Sequence, residues 1–369
     1  MSTARTPART PAPGTGTGTG RTAEVVVTGL GTALTGVAGP AELGPGARGG
    51  HGGAGDPVDR LTGRGLRYKD RATKLGMVAA REALAAAGLT GADGALTVPG
   101  ASVGCVVSTN FGNVDTVCET VATIARGTYL GTSPMMLPAT SSNVVASWIA
   151  ITHGLRGANL TLCNGPTSGL DAVRWGALLI AAGRVERVLV VGVEPDNPEV
   201  RHLLPPDREA FFDGAAALVL ESAGSAAARG VRPLAGVGPY ARRARHADAV
   251  VAVRAGDGRD LGLWCVPEHL EGGRGSASAL GDGTAGTPVH DLSELLGPSS
   301  GALGVLQAVA ATAWLSGGAG AAVLATAGTG DEGGDDAAAA LLFLPVAAEP
   351  YRNESSRAGS ASEPVGATP

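Results

Sequence analysis

Aromatic residues, basic clusters and long apolar runs are what this sequence has least of. Phe, Trp and Tyr make up only 3% of its 369 residues. No apolar run reaches the roughly 18 to 20 residues that a membrane-spanning helix needs. No Lys/Arg cluster is present and the net charge is −5, which argues against nucleic acid or an acidic membrane surface as a partner. We therefore expect a chain that works without a membrane and without nucleic acid.

Cysteine is also scarce. The four cysteines stand at positions 105, 118, 163 and 265, and they show neither CxxC spacing nor the density of a secreted disulfide scaffold. The His residues show no metal-ligand spacing, and no cofactor motif is present. The chain is therefore expected to be cytoplasmic and reduced, with no metal and no cofactor.

The two ends of the chain are poor in apolar residues. Residues 1–22 are mostly Pro, Thr and Gly, and residues 348–369 are similarly polar. Such segments cannot offset the entropy cost of ordering, so both are predicted to be disordered tails. The Gly-Thr run at 14–20 is low-complexity sequence and not a phosphate loop, because no strand precedes it and no Gly-Lys-Ser/Thr ends it.

Between the tails, strand-like and helix-like patterns alternate. Apolar runs of strand length occur at 24–30, 102–108, 159–163, 187–194, 215–221, 321–325 and 337–345. Apolar residues at helical spacing occur within 68–88, 143–153, 169–182 and the stretch that follows Leu296. This alternation predicts an α/β layered fold whose sheets are covered on both faces. The Gly-rich stretch 241–286 is expected to form surface loops.

Several longer segments together are typical of one family. They are VVVTGLG at 25–31, RYKDRATKLGMVAAREALAAAGL at 67–89, VGCVVSTNFGNVDT at 103–116, TSPMMLPATSSNVVASWIAITHGLRGANLTL at 132–162, TSGLDAVRWGALLIAAGRVERVLVVGVEP at 167–195 and FFDGAAALVLE at 211–221. In this order they resemble the β-ketoacyl synthases, condensing enzymes of the thiolase superfamily. The resemblance implies an α/β, thiolase-like, five-layered α/β/α/β/α sandwich of two similar halves, here 23–225 and an abbreviated 226–347.

The resemblance also implies where the chemical residues of this family should stand. A Cys at a strand-to-helix turn attacks the acyl thioester, and two His residues promote malonyl decarboxylation and stabilise the enolate. The Thr-Ser-Gly opening at 167–169 places Pro166 at the nucleophile position, where proline supplies neither a nucleophile nor an N–H for an oxyanion hole. Pro298 stands where the second His belongs. No His-Gly-Thr-Gly-Thr run exists, and His269 is the remaining candidate for the other His, although its neighbours do not match.

Chain length factors of type II polyketide synthases are family members that have lost the Cys. The Gly-Leu-Asp-Ala-Val stretch at 169–173 resembles their sequence. The resemblance therefore implies a non-catalytic subunit that pairs with an active ketosynthase, helps line its tunnel and has acyl carrier protein as an indirect partner. Candidates for tunnel or interface residues are Phe111, Met135, Met136 and Leu137; ordinary packing is the alternative for each.

Two other hypotheses stay open. A divergent acyltransferase or condensing enzyme could act through Cys163 with an unrecognised base, which predicts a solvent-reachable thiol near His269 or His290. Against it, a buried cysteine is more often inert than nucleophilic. The third hypothesis is a structural homodimer without a role in condensation. The abbreviated C-terminal half also leaves open whether this chain closes a tunnel.

Overall fold

The computed structural model describes residues 24–46, 55–204, 211–268, 284, 286–328 and 338–346. Within these residues, strands and helices alternate along the chain. The strands are β1 (Val25–Leu34), β2 (Val103–Ser108), β3 (Asn159–Leu162), β4 (Arg187–Glu194), β5 (Gly214–Ser222), β6 (Ala235–Arg243), β7 (Leu261–Cys265), β8 (Val289–His290), β9 (Ala322–Gly328) and β10 (Ala338–Leu344). The helices are α1 (Arg71–Ala86), α2 (Val114–Gly127), α3 (Val144–His153), α4 (Ser168–Ala181), α5 (Pro198–Leu203), α6 (Ala223–Ala228), α7 (His246–Arg254), α8 (Leu292–Leu296) and α9 (Leu303–Ser316). Among the helices described, none has the length and apolar character needed to cross a membrane.

All the strands belong to one sheet, in the order β3-β2-β4-β5-β1-β6-β10-β9-β7-β8. Counted outward from the centre, the two halves have the same strand order. It is β1, β5, β4, β2 and β3 in the first half and β6, β10, β9, β7 and β8 in the second. In both halves the pairings nearer the centre are antiparallel and the outer two are parallel. The predicted thiolase-like fold of two similar halves is confirmed. The second half is the shorter, since its strands run from 235 to 344 against 25 to 222 for the first.

Helices cover both faces of each half. α4 and α9 lie in the centre, where their apolar residues share one core with strands of both halves. α1 and α3 cover the outer face of the first half, and α7 covers that of the second. The layers are therefore α/β/α/β/α. Because helices lie on both sides, β2, β4, β9 and β10 are buried along their whole length, which explains their near-continuous apolar sequences.

The two central helices cross where their backbones nearly touch. A Cβ built on Gly304 would lie 2.2 Å from the backbone N of Leu170, and one built on Gly169 would lie 2.6 Å from the backbone N of Gly304. Real side chains do not approach backbone atoms so closely, so both positions require glycine. The crossing fixes the turns that precede α4 and α9 relative to each other.

The structure corrects one sequence prediction and adds a helix. The stretch 241–286, expected to form loops, contains α7 and β7, because β7 pairs with β9 from a distant part of the chain; such tertiary pairing can override a weak local pattern. α2 has no counterpart among the predicted helices, although Val117, Val121 and Ile124 stand at helical spacing. The predicted tails and His269 lie outside the described residues.

Candidate functional site

The turn before α4 carries Pro166, which the resemblance places at the nucleophile position. β3 ends at Leu162, and a 3-10 turn, Gly165–Thr167, leads into α4. Gly165 has a φ of 77°, a left-handed conformation that favours glycine. Pro166 lies half-buried in this turn, where it offers neither a nucleophile nor an N–H donor.

The turn before α9 carries Pro298, which the resemblance places where the second His belongs. Pro298 precedes a 3-10 turn, Ser300–Ala302, that leads into α9. The carboxylate of Glu268 accepts hydrogen bonds from the backbone N–H groups of Ser299 and Ser300. Ser300 has a φ of 47°, which is unfavourable for a residue with a Cβ. The carboxylate therefore helps to hold a strained turn.

The side chain of Asn110 joins these two turns. Its Nδ2 donates to the Oγ of Ser300 at 2.8 Å. Its Oδ1 accepts from the N–H of Gly165 at 3.2 Å and from the Oγ of Ser168 at 3.1 Å. One amide thus spans both turns, and the two positions marked by the resemblance lie on turns that the fold brings together.

A buried carboxylate holds the backbone around the same amide. Glu194, the last residue of β4, is only 3% exposed. Its carboxylate accepts from the N–H groups of Asn110 at 2.6 Å, Phe111 at 3.0 Å and Gly301 at 3.1 Å and from the hydroxyl of Thr109 at 3.0 Å. Burial raises the pKa of Glu194 to about 7, although the four donors act in the opposite direction. The unfolded carboxyl has an ordinary pKa near 4.5, so the stability contributed by the bound proton is lost as the pH rises from 4.5 to about 7.

Little space remains between these groups. The cavity lined by Phe111, Glu194, Phe212, Pro298, Ser300 and neighbouring residues has a volume of about 10 Å³, which holds about one water molecule. This cavity is too small for an acyl chain. A larger cavity of about 500 Å³ lies beside Leu315 near the C-terminal end of α9 and contains none of the predicted site residues.

A group of apolar side chains faces solvent near α2. Met135 and Leu137 are 65% and 46% exposed, whereas Met136 is half-buried. Turns at Tyr129–Gly131 and Leu137–Thr140 both pack on α2. We define the α2 surface as the exposed side chains of Val121, Ile124, Tyr129, Leu130, Met135 and Leu137. A concentration of this kind on one helix and the loop after it is typical of an interaction site.

The alternative nucleophile, Cys163, is exposed to solvent as that hypothesis requires. Its thiol donates to the carbonyl of Asn110 at 3.7 Å. Burial of the sulfur and the Glu194 carboxylate both raise the pKa of Cys163, which lowers the fraction of reactive thiolate. In that hypothesis His290 is one of the candidates to lie near the thiol, but the ring of His290 donates to the carbonyl of Leu43 at 2.7 Å. The described residues include no group of metal-ligating side chains.

Residues 48–204 match the family model of the β-ketoacyl synthase N-terminal domain. The chain is thus a relative of the β-ketoacyl synthases. It is 27% identical over 202 residues to 3-oxoacyl-[acyl-carrier-protein] synthase 2 of Vibrio harveyi, a match that covers 48% of this chain and 47% of that enzyme. It is 28% identical over 320 residues to the tetracenomycin polyketide synthase ketoacyl synthase alpha subunit of Streptomyces glaucescens, which covers 69% of this chain and 71% of that subunit.

Solved ketosynthase structures share the fold of this β-ketoacyl synthase relative. The structure of the ishigamide ketosynthase/chain length factor matches with a TM-score of 0.69 at 24% identity, covering 88% of this chain and 100% of that chain. At this identity the likeness concerns the fold. The chain spans about half the length of the Vibrio harveyi enzyme, so activity, substrates and partners remain to be proposed for it.

We expect Cys163 of this β-ketoacyl synthase relative to alkylate slowly. At pH 7.5 its rate with iodoacetamide should be several-fold below that of free cysteine, because the raised pKa reduces the thiolate fraction. The rate should climb about tenfold per pH unit below that pKa. Mass spectrometry of the modified peptide over time measures it, with Cys163→Ala as the control that identifies the peptide. A rate above that of free cysteine would revive the nucleophile hypothesis.

Sequence reasoning missed two residues that organise the site. Asn110 lies within the quoted motif at 103–116 but had no role assigned, and Glu194 ends an otherwise apolar strand. A carboxylate at the end of such a strand is the available signal, since a buried charge is rarely left without partners. The partners themselves come from distant segments, which no local pattern shows.

Proposed function

We propose that this chain is a non-catalytic, chain-length-factor-type subunit. It supports an active β-ketoacyl synthase in polyketide or fatty-acid-type chain assembly on acyl carrier protein. The observation that carries the proposal is the pair of prolines on turns that Asn110 joins: Pro166 stands where the resemblance places the nucleophile, and Pro298 lines a cavity of only about 10 Å³. Family chemistry needs a nucleophile and an oxyanion donor, and Pro166 supplies neither a nucleophile nor an N–H at this position.

The exposed apolar side chains of the α2 surface support the proposal that this chain binds a large protein partner. Only Thr116 is buried among the residues of α2, while Tyr129 and Leu130 in the following turn are 71% and 79% exposed. Exposed apolar groups of this kind are stabilised when a partner removes them from water. The proposed partner is the active synthase, and Met135 and Leu137 are the side chains that we expect to lie against it.

The free edge of the sheet supports the same pairing. β3 ends the strand order, with β2 as its one described neighbour, so its outer backbone groups can pair with another chain. Apolar residues are exposed on the two helices that contact β3: Ile151 on α3, and Trp175 and Leu178 on α4. The opposite end of the sheet is β8, a two-residue strand whose His290 bonds the carbonyl of Leu43. Pairing of the β3 edge with the equivalent edge of a partner would give a closed pair of subunits, because open-ended assemblies need two different contact surfaces.

A second candidate function, acyl transfer through Cys163, is favoured by the exposure of that thiol. The raised pKa of Cys163 and its contact with a backbone carbonyl weigh against it. The described histidines also include none that is hydrogen-bonded to the thiol. A homodimer without a condensation role would use the same surfaces, so only the identity of the bound partner distinguishes it from the proposed heterodimer.

Co-expression with any ketosynthases encoded in the same genome neighbourhood tests the proposed function. Alone, the chain is expected to self-associate or aggregate, because the α2 surface stays uncovered. With its synthase it should elute as a 1:1 complex in size-exclusion chromatography with light scattering, and the product should change or vanish when this chain is omitted.

Two matched variants complete that experiment. Replacing the active-site Cys of the partner synthase by Ala should abolish product, whereas Cys163→Ala in this chain should leave product unchanged. Loss of product with Cys163→Ala would favour the acyltransferase. A chain that never associates with any neighbouring synthase and leaves every product unchanged would favour the homodimer.

A further inference from the structure

The strongest unexplained feature is the carboxylate of Glu194. At the end of β4, it accepts hydrogen bonds from two separate parts of the chain: the turn after β2, which holds Thr109, Asn110 and Phe111, and Gly301 in the turn before α9. Every one of these partners is a donor, and each carboxylate oxygen accepts two of them. Four donors converging on one point form a site that suits an anion.

No cation neutralises this carboxylate among the described residues. Its four partners are all uncharged, and the nearby titratable groups are themselves acidic or neutral. The charge of Glu194 helps to raise the pKa of the Cys163 thiol. Glu268, a second carboxylate, accepts from the backbone N–H groups of Ser299 and Ser300, which directly precede Gly301. The four donors therefore offset part of the cost of burying this charge, and burial still raises the pKa of Glu194 to about 7.

The backbone around Glu194 is built to let the carboxylate in. A Cβ on Gly301 would lie 2.6 Å from a carboxylate oxygen of Glu194 and 3.0 Å from the N of Asn110. The absence of a side chain at this position is thus what allows the N–H of Gly301 to reach the anion. Gly301 therefore both leaves the space that the Glu194 carboxylate occupies and donates its N–H to that carboxylate.

We propose that Glu194 is a built-in carboxylate ligand, which fills an anion site formed by four donors of two segments and thereby holds the turn after β2 against the turn that follows Pro298. The proposal concerns the interior of this chain and does not depend on the partner role. The chemical class that fits the site is a small carboxylate. An empty site of the same shape should therefore take formate or acetate.

Chemical rescue tests the proposal. Glu194→Ala should lower the Tm by at least about 4 °C, because four buried donors lose their acceptor. At pH 8, where formate is an anion, sodium formate should restore part of that loss with a saturable concentration dependence, and sodium chloride at equal ionic strength should not. The wild type should show no such response.

Gln307→Ala is the matched control. Gln307 is similar in size and fully buried, but its Nε2 donates to carbonyl groups, with the oxygen of Val266 at 2.8 Å and that of Thr326 at 2.9 Å. Its removal leaves acceptors, which repel an anion, so formate should not raise the Tm of this variant. An equal formate response in Gln307→Ala, or an unchanged Tm in Glu194→Ala, overturns the proposal.

A second variant covers the case in which Glu194→Ala does not fold in buffer. Gly301→Ala should lower the Tm of the otherwise wild-type chain, because the new methyl group meets the carboxylate. Glu194→Ala should then be recovered in folded form by refolding with formate but not with chloride. Failure of both results, with Gly301→Ala as stable as the wild type, would show that the carboxylate is not held in this site.

Discussion

Gly304→Ala is expected to lower the free energy of unfolding by about 3 kcal/mol or more, or to prevent folding. The added Cβ would lie 2.2 Å from the backbone N of Leu170 and within 3 Å of Gly169. These contacts are with backbone atoms of α4, which cannot turn aside as a flexible side chain could. The two central helices would have to separate, and the core shared by both halves would open with them. Denaturant unfolding followed by circular dichroism measures the change.

Gly224→Ala is the matched control for that substitution. Gly224 also lies in a helix, α6, but a Cβ built on it meets nothing within 4 Å. Alanine has the higher helix propensity, so this change should be neutral or stabilising by up to about 1 kcal/mol. A Gly304→Ala protein as stable as Gly224→Ala would mean that the close crossing of α4 and α9 is not part of the folded state.

Leu130→Asp should weaken association with the partner synthase by about 100-fold or more. Leu130 is 79% exposed in the free chain and belongs to the α2 surface. In the proposed complex an Asp at this position would be buried against apolar groups without a partner, which costs several kcal/mol. The free chain should fold normally, because the side chain makes no core contact. Titration of labelled chain with purified synthase gives the dissociation constant.

Val251→Asp provides the comparison for the interface variant. Val251 is 67% exposed on α7, on the outer layer of the second half and away from the α2 surface. The same charge placed there should leave affinity unchanged. If both variants bind equally well, the α2 surface is not the interface. If both lose affinity equally, the loss comes from added negative charge in general and not from the site.

The sequence predicts strands well where helices bury both of their faces. The strands β2, β4 and β5 were located as apolar runs because helices cover both of their faces, and α1, α3 and α4 were located by apolar spacing. β7 was missed because its short apolar run acquires strand structure only by pairing with β8 and β9. Local pattern carries no information about such distant neighbours.

The candidate site was likewise predictable only in part from the sequence. Pro166 and Pro298 are assigned to catalytic positions by the resemblance of their neighbours to the family's motifs, and these assignments stay predictions. The hydrogen bonds of Asn110 and Glu194 were not found, since they join residues about as far apart as Asn110 and Ser300, which lie 190 positions from each other. The roles of Phe111, Met135, Met136 and Leu137 in a tunnel or interface stay predictions until a complex is measured.

The bridge made by Asn110 also bears on how this chain could evolve. Changing Pro166 back to Cys would return a thiol and an N–H to the turn, but the amide of Asn110 would still tie that turn to Ser300, and the cavity would still hold about 10 Å³. Under the proposed function, this single change would therefore not be enough to give condensing activity. Several changes on different segments would have to arrive together, so packing as well as chemistry would keep the chain in the proposed partner role, and its contacts could change more readily than its chemistry.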